Sequence, residues 1–174
     1  MQGCHSGLIG NGPITLSEGL NQLVSEHTSL RSCLEALFSL CNQVEQEPAG
    51  TDFEKLFTEV REFFTNLEFH SEREEDFLFR MMEVYLGKNG GPISVMEYEH
   101  EQARSFINEF LKNAESQTVL TTDEKIQNSN LIKNAYYTLL DHFMKEEQVL
   151  YPMAERMLTD EEKEILLQKV SETR

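Results

Sequence analysis

A hydroxyl residue followed three positions later by glutamate occurs just ahead of every amphipathic run in this chain. The pairs are Thr15/Glu18, Thr51/Glu54, Ser94/Glu97, Thr121/Glu124 and Thr159/Glu162. At this spacing the hydroxyl accepts from one free backbone N–H and the carboxylate from another, so each pair predicts a helix N-terminus. Breakers separate the runs: Glu47-Pro48-Ala49-Gly50, then Gly87-Lys88-Asn89-Gly90-Gly91-Pro92, then the polar stretch from Glu115 to Val119. The pattern predicts long helices at about 15–45, 51–86, 93–114 and 121–158, with a short fifth near 160–172. Strand patterns are absent. Short connections between long helices favour antiparallel neighbours, hence an all-α, up-down-up-down four-helix bundle with a short fifth C-terminal helix. The bundle domain takes residues 15–174, preceded by a flexible segment, residues 1–14.

Charge narrows the partners. The chain has 15 Lys+Arg against 31 Asp+Glu, a net −16 with His neutral. Such a surface repels phosphate backbones and anionic lipid, so nucleic acid and membrane are excluded as expected partners. No run of about 18 apolar residues is present to span a bilayer. The first residues lack a basic patch followed by an apolar run, which argues against a secretory signal. Cys33 and Cys41 lie eight residues apart in one predicted helix, about 12 Å along its axis, too far for a disulfide. Unpaired thiols point to the cytoplasm, with both cysteines serving as small residues at the core or its edge. Cys4 and His5 form a separate candidate metal or redox pair.

Each of four histidines falls in a different predicted helix, in line with its apolar stripe. His27 shares a face with Leu20, Leu23, Leu30 and Leu34; His70 with Phe63, Leu67, Phe77 and Met81; His100 with Met96, Ala103, Ile107 and Leu111; His142 with Ala135, Leu139, Val149 and Met153. Four unpaired imidazoles in one core are costly, since each has a donor and an acceptor to satisfy. A shared metal centre satisfies them together. Carboxylates accompany two of them one helical turn on, at Glu74 and Glu146. The surrounding segments match as H-x-x-x-E-E-x-x-L-[F/Y]-x-M, from His70 to Met81 and from His142 to Met153. The candidate metal ligands are therefore His27, His70, Glu74, His100, His142 and Glu146. Glu75 and Glu147 lie about 100° further round their helices and are candidates for solvent, for ligation, or for supporting a ligand.

Heights along the bundle can be compared by counting from each turn. His27 and His70 agree about the first turn, at about 21 and 22 residues. His100 and His142 agree less well about the third, at about 17 and 25. About the second, His70 lies about 20 residues back and His100 only about 10 forward, a mismatch of ~15 Å at 1.5 Å per residue. A second helix ending near Met81, with the glycine-rich stretch descending in extended form, would repair it.

Four imidazoles and two carboxylates without thiolate make an N/O site, unlike structural zinc, which recruits Cys in a single tetrahedron. Six ligands in two symmetric sets suggest two metals sharing two bridging carboxylates. Iron is the favoured ion, with manganese or zinc as alternatives. Two divalent ions bring +4 and two carboxylates −2, so a bridging oxide or hydroxide, or Glu75 or Glu147, would supply further negative charge.

At these residues the chain resembles the hemerythrin-like (HHE cation-binding) domains, bacterial members above all, including the di-iron proteins that repair iron–sulfur centres. The resemblance runs over about 15–158 and is carried by Glu26-His27, the unit from His70 to Glu74, the stretch from Gly91 through Met96 to His100 and Glu101, and the unit from His142 to Glu146 with Leu150-Tyr151-Pro152. It implies two non-haem iron ions, oxo- or hydroxo-bridged, inside a four-helix bundle, with the six residues above at ligand positions. Oxygen-carrying hemerythrins have a fifth ligand histidine one turn from the third helix's first; here Met96 and Arg104 occupy those places. Their second bridging carboxylate stands five residues after its histidine, which here would select Glu147. Reversible oxygen carriage is thereby disfavoured. The repair proteins carry an additional N-terminal cysteine-bearing domain, whereas about a dozen residues precede the bundle here.

The resemblance and the donor set together imply a protein that binds or senses O2 or NO. An enzyme reducing NO or peroxide with an external electron donor, or an iron donor to damaged iron–sulfur clusters, is the alternative. A bundle whose histidines only pack is the fourth possibility. Tyr98, Tyr136, Tyr137 and Tyr151 are candidate donors or radical relays at the site, or ordinary packing residues.

Overall fold

The computed structural model describes residues 14–50, 52–88, 91–116 and 119–172. Helix α1 is Glu18–Gln46. Helix α2 begins as Asp52–Arg73, passes through a π-helical turn at Glu74–Leu78 and finishes as Phe79–Leu86. Helix α3 is Gly91–Ser116. Helix α4 begins as Thr122–Lys145, takes a second π turn at Glu146–Leu150 and finishes as Tyr151–Met157. The short α5 is Asp160–Ser171. Each long helix packs on the next and α4 closes on α1, so the four form an up-down-up-down bundle, with α5 laid against α1. No strand occurs among the described residues, and no helix is long and apolar enough to cross a membrane.

Two of the five predicted caps form as reciprocal capping boxes, Thr121 with Glu124 and Thr159 with Glu162. Two are corrected. Helix α1 starts three residues after Thr15, with Ser17 at the N-cap, and the Ser17 backbone N–H donates instead to Glu155 Oε2 at 2.6 Å. Helix α3 starts at Gly91, which puts Ser94 inside the first turn; Pro92 fits there because its missing N–H has no intrahelical partner to lose. Thr51 lies outside the described residues, as do Cys4 and His5. Gly87, at φ 80°, ends α2 in a left-handed conformation that side chains resist.

Helix α2 does not end near Met81; it runs on to Leu86. The height mismatch is met differently. His100 meets α2 at the level of Glu74 and Glu75, one turn beyond His70. From Glu74 to Leu86 is 12 residues and from Gly91 to His100 nine, a difference of only about 5 Å.

The core is two apolar clusters with a polar layer between them. One cluster holds Leu30, Leu34, Leu67, Ala103, Ile107 and Leu139. The other holds Leu20, Leu23, Leu78, Met96, Leu150 and Leu166. Along every long helix the chain passes from one cluster to the other through its histidine. The π turns change the stripe at that crossing: each admits an extra residue per turn and rotates the remainder of its helix. Leu78, Phe79 and Met82 therefore face inward in place of Phe77 and Met81, and Leu150, Tyr151 and Ala154 in place of Val149 and Met153. Val149 is exposed and Met153 only partly covered. Of the cysteines, Cys41 is buried in the core, where loss of water pushes its thiol up to about 12, and Cys33 is exposed.

Candidate metal centre

The six candidate ligands come from all four long helices and meet in the polar layer, each at most 2% exposed. They form two groups that share both glutamates. His27, His70, Glu74 and Glu146 make one; Glu74, His100, His142 and Glu146 make the other. Within each group, one donor atom per residue lies within 4.8 Å of all the others. Glu146 spans the two: Oε1 is 3.0 Å from His142 Nε2 and Oε2 is 3.2 Å from His27 Nε2. Glu74 Oε2 stands midway, 3.4 Å from His70 Nε2 and 3.5 Å from His100 Nε2.

Each of these four imidazoles is held from behind by a carboxylate on a neighbouring helix. His70 Nδ1 meets Glu26 at 2.7 Å, His100 Nδ1 meets Glu75 at 2.6 Å, His142 Nδ1 meets Glu99 at 3.1 Å and His27 Nδ1 meets Glu147 at 2.9 Å. The sequence of supports is a closed ring, in which α1 holds α2, α2 holds α3, α3 holds α4 and α4 holds α1. An ionised carboxylate can only accept, so each Nδ1 carries a proton, and each Nε2 faces inward and offers its lone pair once any second proton has left. The supporting carboxylates are themselves anchored by cations on the helix they reach: Glu26 by Arg73 at 2.5 Å, Glu75 by Arg104 at 2.8 Å, Glu147 by Arg31 at 2.7 Å and Glu99 by Lys145.

These partners keep the supports charged. Burial alone would raise the carboxyl pKa of Glu26 and Glu75, but the bonded imidazole and then the guanidinium outweigh it and hold both low. For Glu147 the same balance is tipped first by Arg31, then by His27. Glu99 is held low chiefly by its bond to His142, against a smaller burial cost, with Lys145 adding to it.

The sequence left Glu75 and Glu147 open between solvent, ligand and support, and the structure places them as supports. Glu26 and Glu99 lie in the stretches that carry the resemblance, but the sequence assigned neither a role. A signal for the ring exists in the chain: Glu-His-x-x-x-Arg-Ser at 26–32 recurs at 99–105, and His-x-x-[Arg/Lys]-Glu-Glu at 70–75 recurs at 142–147. Of the four candidate tyrosines, only Tyr151 reaches the site. Tyr98 and Tyr137 are exposed, and Tyr136 donates to Glu35 at 2.9 Å within the other apolar cluster.

Three observations test whether a metal suits this cavity. Glu74 Oε2, both Glu146 oxygens, His100 Nε2 and His142 Nε2 are buried without a hydrogen-bond partner, an arrangement costly for any purely structural core. His27 Nε2 faces His70 Nε2 at 2.9 Å. With both Nδ1 protons committed outward, two nitrogens at that distance require either a second proton on one ring or a metal cation. The field is also cation-seeking. Burial disfavours an imidazolium at His142, yet the carboxylates of Glu146, then Glu99 and Glu74, together more than offset this and raise its pKa to about 10. His27 is raised against burial by Glu146, and His100 by Glu74. The residues present fit a metal pair.

The comparisons agree with this geometry. The chain is 34% identical over 90 residues to the iron-sulfur cluster repair protein YtfE of Escherichia coli O157:H7. The matched stretch takes in 49% of this chain and 40% of that protein, so the chain spans less than half of the relative's length in the match. The family model of the hemerythrin HHE cation binding domain matches residues 18–154, which take in all six inward-facing ligand candidates and the four carboxylates behind them. This chain belongs to the hemerythrin HHE cation-binding domain family.

Proposed function

We propose that the protein holds two iron ions in its polar layer and uses them to bind a small diatomic ligand, O2 or NO. The observation that carries this reading is the pair of four-residue groups sharing Glu74 and Glu146, with their unpartnered donor atoms. His27 and His70 would serve one ion, His100 and His142 the other, and the two glutamates both. Iron, when bound, supplies open coordination positions and one-electron chemistry.

The chain's own residues supply orientation and access. The ring of Glu26, Glu75, Glu99 and Glu147 fixes which nitrogen of each histidine faces inward. Because each of these carboxylates is already matched by an Arg or Lys, they leave the charge of the ions to Glu74 and Glu146. Two ferrous ions against two carboxylates leave an excess of +2, which favours capture of a small anion or a ligand that becomes anionic on reduction. Burial of all six ligands restricts access to molecules of a few atoms unless the bundle opens.

A second reading, iron donation in iron–sulfur cluster repair, is favoured by the relative that carries that name. It requires the ions to leave a closed layer, and so predicts measurable opening of the helices.

The deciding experiment is metal content by mass spectrometry on freshly isolated protein, with optical spectra before and after reduction and on adding O2 or NO. About two irons per chain, a near-ultraviolet absorption that bleaches on reduction, and a stoichiometric spectral change with ligand support the first reading. Transfer of iron to a metal-free cluster protein, without ligand-dependent spectra, supports the second. One zinc, or no metal after anaerobic supply of ferrous iron, sinks both.

A further inference from the structure

The two halves of the layer are built alike and differ at two aromatic positions: Phe143 stacks on His27 at 4.3 Å where α2 has Ser71, and a tyrosine in one half stands where the other has phenylalanine. Aligning the α2 and α4 segments from their histidines pairs Phe79 with Tyr151. Both are fully buried. The Phe79 ring stacks on His100 at 5.8 Å and 17°, and the Tyr151 ring stacks on His27 at 5.7 Å and 18°. These two ring contacts are equivalent, but Tyr151 adds a hydroxyl. That hydroxyl donates to Glu74 Oε1 at 2.5 Å and lies 3.2 Å from His27 Nε2. Phe79 can offer nothing comparable to Glu146, which keeps both oxygens free of hydrogen bonds.

We propose that Tyr151 is a positioning residue that makes the two metal positions unequal. By engaging Glu74 Oε1 it leaves Glu74 one free oxygen, Oε2, and it sets a hydroxyl beside the His27–His70 position alone. A carboxylate that accepts a hydrogen bond is a poorer donor, and the hydroxyl that engages this one lies beside His27 Nε2. The His27–His70 position is therefore the weaker of the two. The inference rests on the reading that both groups hold metal.

The test is anaerobic titration of metal-free protein with ferrous iron, together with Mössbauer spectra of the iron-57 form. The wild-type protein is expected to bind in two steps separated by roughly tenfold or more, the scale of one hydrogen bond to a charged group, and to show two quadrupole doublets of equal area. Tyr151→Phe installs the residue that the other half already carries and preserves the ring. It should draw the two steps several-fold closer and narrow the separation of the doublets, while the Phe143 ring on His27 keeps them distinct. Phe79→Tyr, which adds the missing hydroxyl, should move the spectra the same way from the opposite side. A merely structural role for Tyr151 would lower melting temperature and both affinities together, with the doublet separation unchanged, and that outcome overturns the proposal. A single step with two equivalent irons in the wild-type protein overturns it too, while leaving the metal reading intact. Failure of the wild-type protein to bind iron removes both.

Discussion

Glu75 accepts the Nδ1 proton of His100 across 2.6 Å, from a helix other than the one that carries the histidine. Its chain neighbour Glu74 faces the opposite nitrogen of the same ring at 3.5 Å. Two adjacent glutamates thus address both sides of one imidazole, one orienting it and the other sharing its inward face. The π turn that begins at Glu74 is where this happens, and α4 repeats it at Glu146 with Glu147 reaching His27.

Removing a supporting carboxylate should loosen a ligand without dismantling the fold. Glu99→Gln keeps the shape but weakens the hold on His142, and Lys145 keeps only Asp141 as its ionised partner. Metal affinity is expected to fall by about 10–100-fold, with an unchanged far-ultraviolet circular dichroism spectrum. A chelator competition series measures this; affinity equal to that of the wild-type protein would show that the ring does not orient the ligands.

Glu146 and His142 should differ in how many metals depend on them. Glu146 faces both positions, whereas His142 faces one. Glu146→Ala is expected to cost most of the metal at both positions, and His142→Ala about half. Metal-to-protein ratios by mass spectrometry decide it; equal losses in the two variants would contradict the shared-carboxylate arrangement.

Protons and metals compete for the same nitrogens. In the metal-free protein His142 has a folded-state pKa raised to about 10, from an ordinary value near 6.5. Its charged form therefore contributes stability that is fully present below about pH 6.5 and is lost as pH rises through about 10. Metal-free protein should lose stability between about pH 6.5 and about pH 10, as followed by denaturant midpoints. Metal binding must release that proton, so iron affinity should rise with pH over the same interval, and titrations near pH 7 in buffers of different ionisation enthalpy should register at least one proton released per chain.

The docking of α5 depends on the absence of a side chain at Gly19. A Cβ there would meet Leu167 N at 3.0 Å and Leu167 Cα at 3.1 Å, and backbone atoms cannot swing aside. Gly19→Ala should destabilise by about 1–3 kcal/mol, and hydrogen exchange should show α5 opening first. Because the Val170 carbonyl also receives Gln22 Nε2 at 2.6 Å and the Arg73 guanidinium, a loosened α5 should in addition relax the Arg73 anchor on Glu26.

Local patterns determined the elements and the inward-facing ligands. Caps, breakers and 3.6-residue periodicity depend on neighbours within one or two turns, so the four long helices and α5 could be read within a few residues of their observed ends. His27, His70, His100 and His142 stood on apolar stripes, and Glu74 and Glu146 stood one turn from a histidine, so the content of the layer was legible as well. What the chain alone left undecided depended on geometry between helices. The π turns rotate everything beyond Glu74 and Glu146 by one position, which is why Val149 and Met153 gave way to Leu150 and Tyr151. A π turn is a response to packing around buried polar groups, and no propensity announces it. The ring of Glu26, Glu75, Glu99 and Glu147 joins residues 25 to 120 positions apart. Only the bundle's closure of α4 on α1 decides which glutamate meets which histidine, because a hydrogen bond needs contact within about 3 Å and helical periodicity says nothing about what stands across the interface.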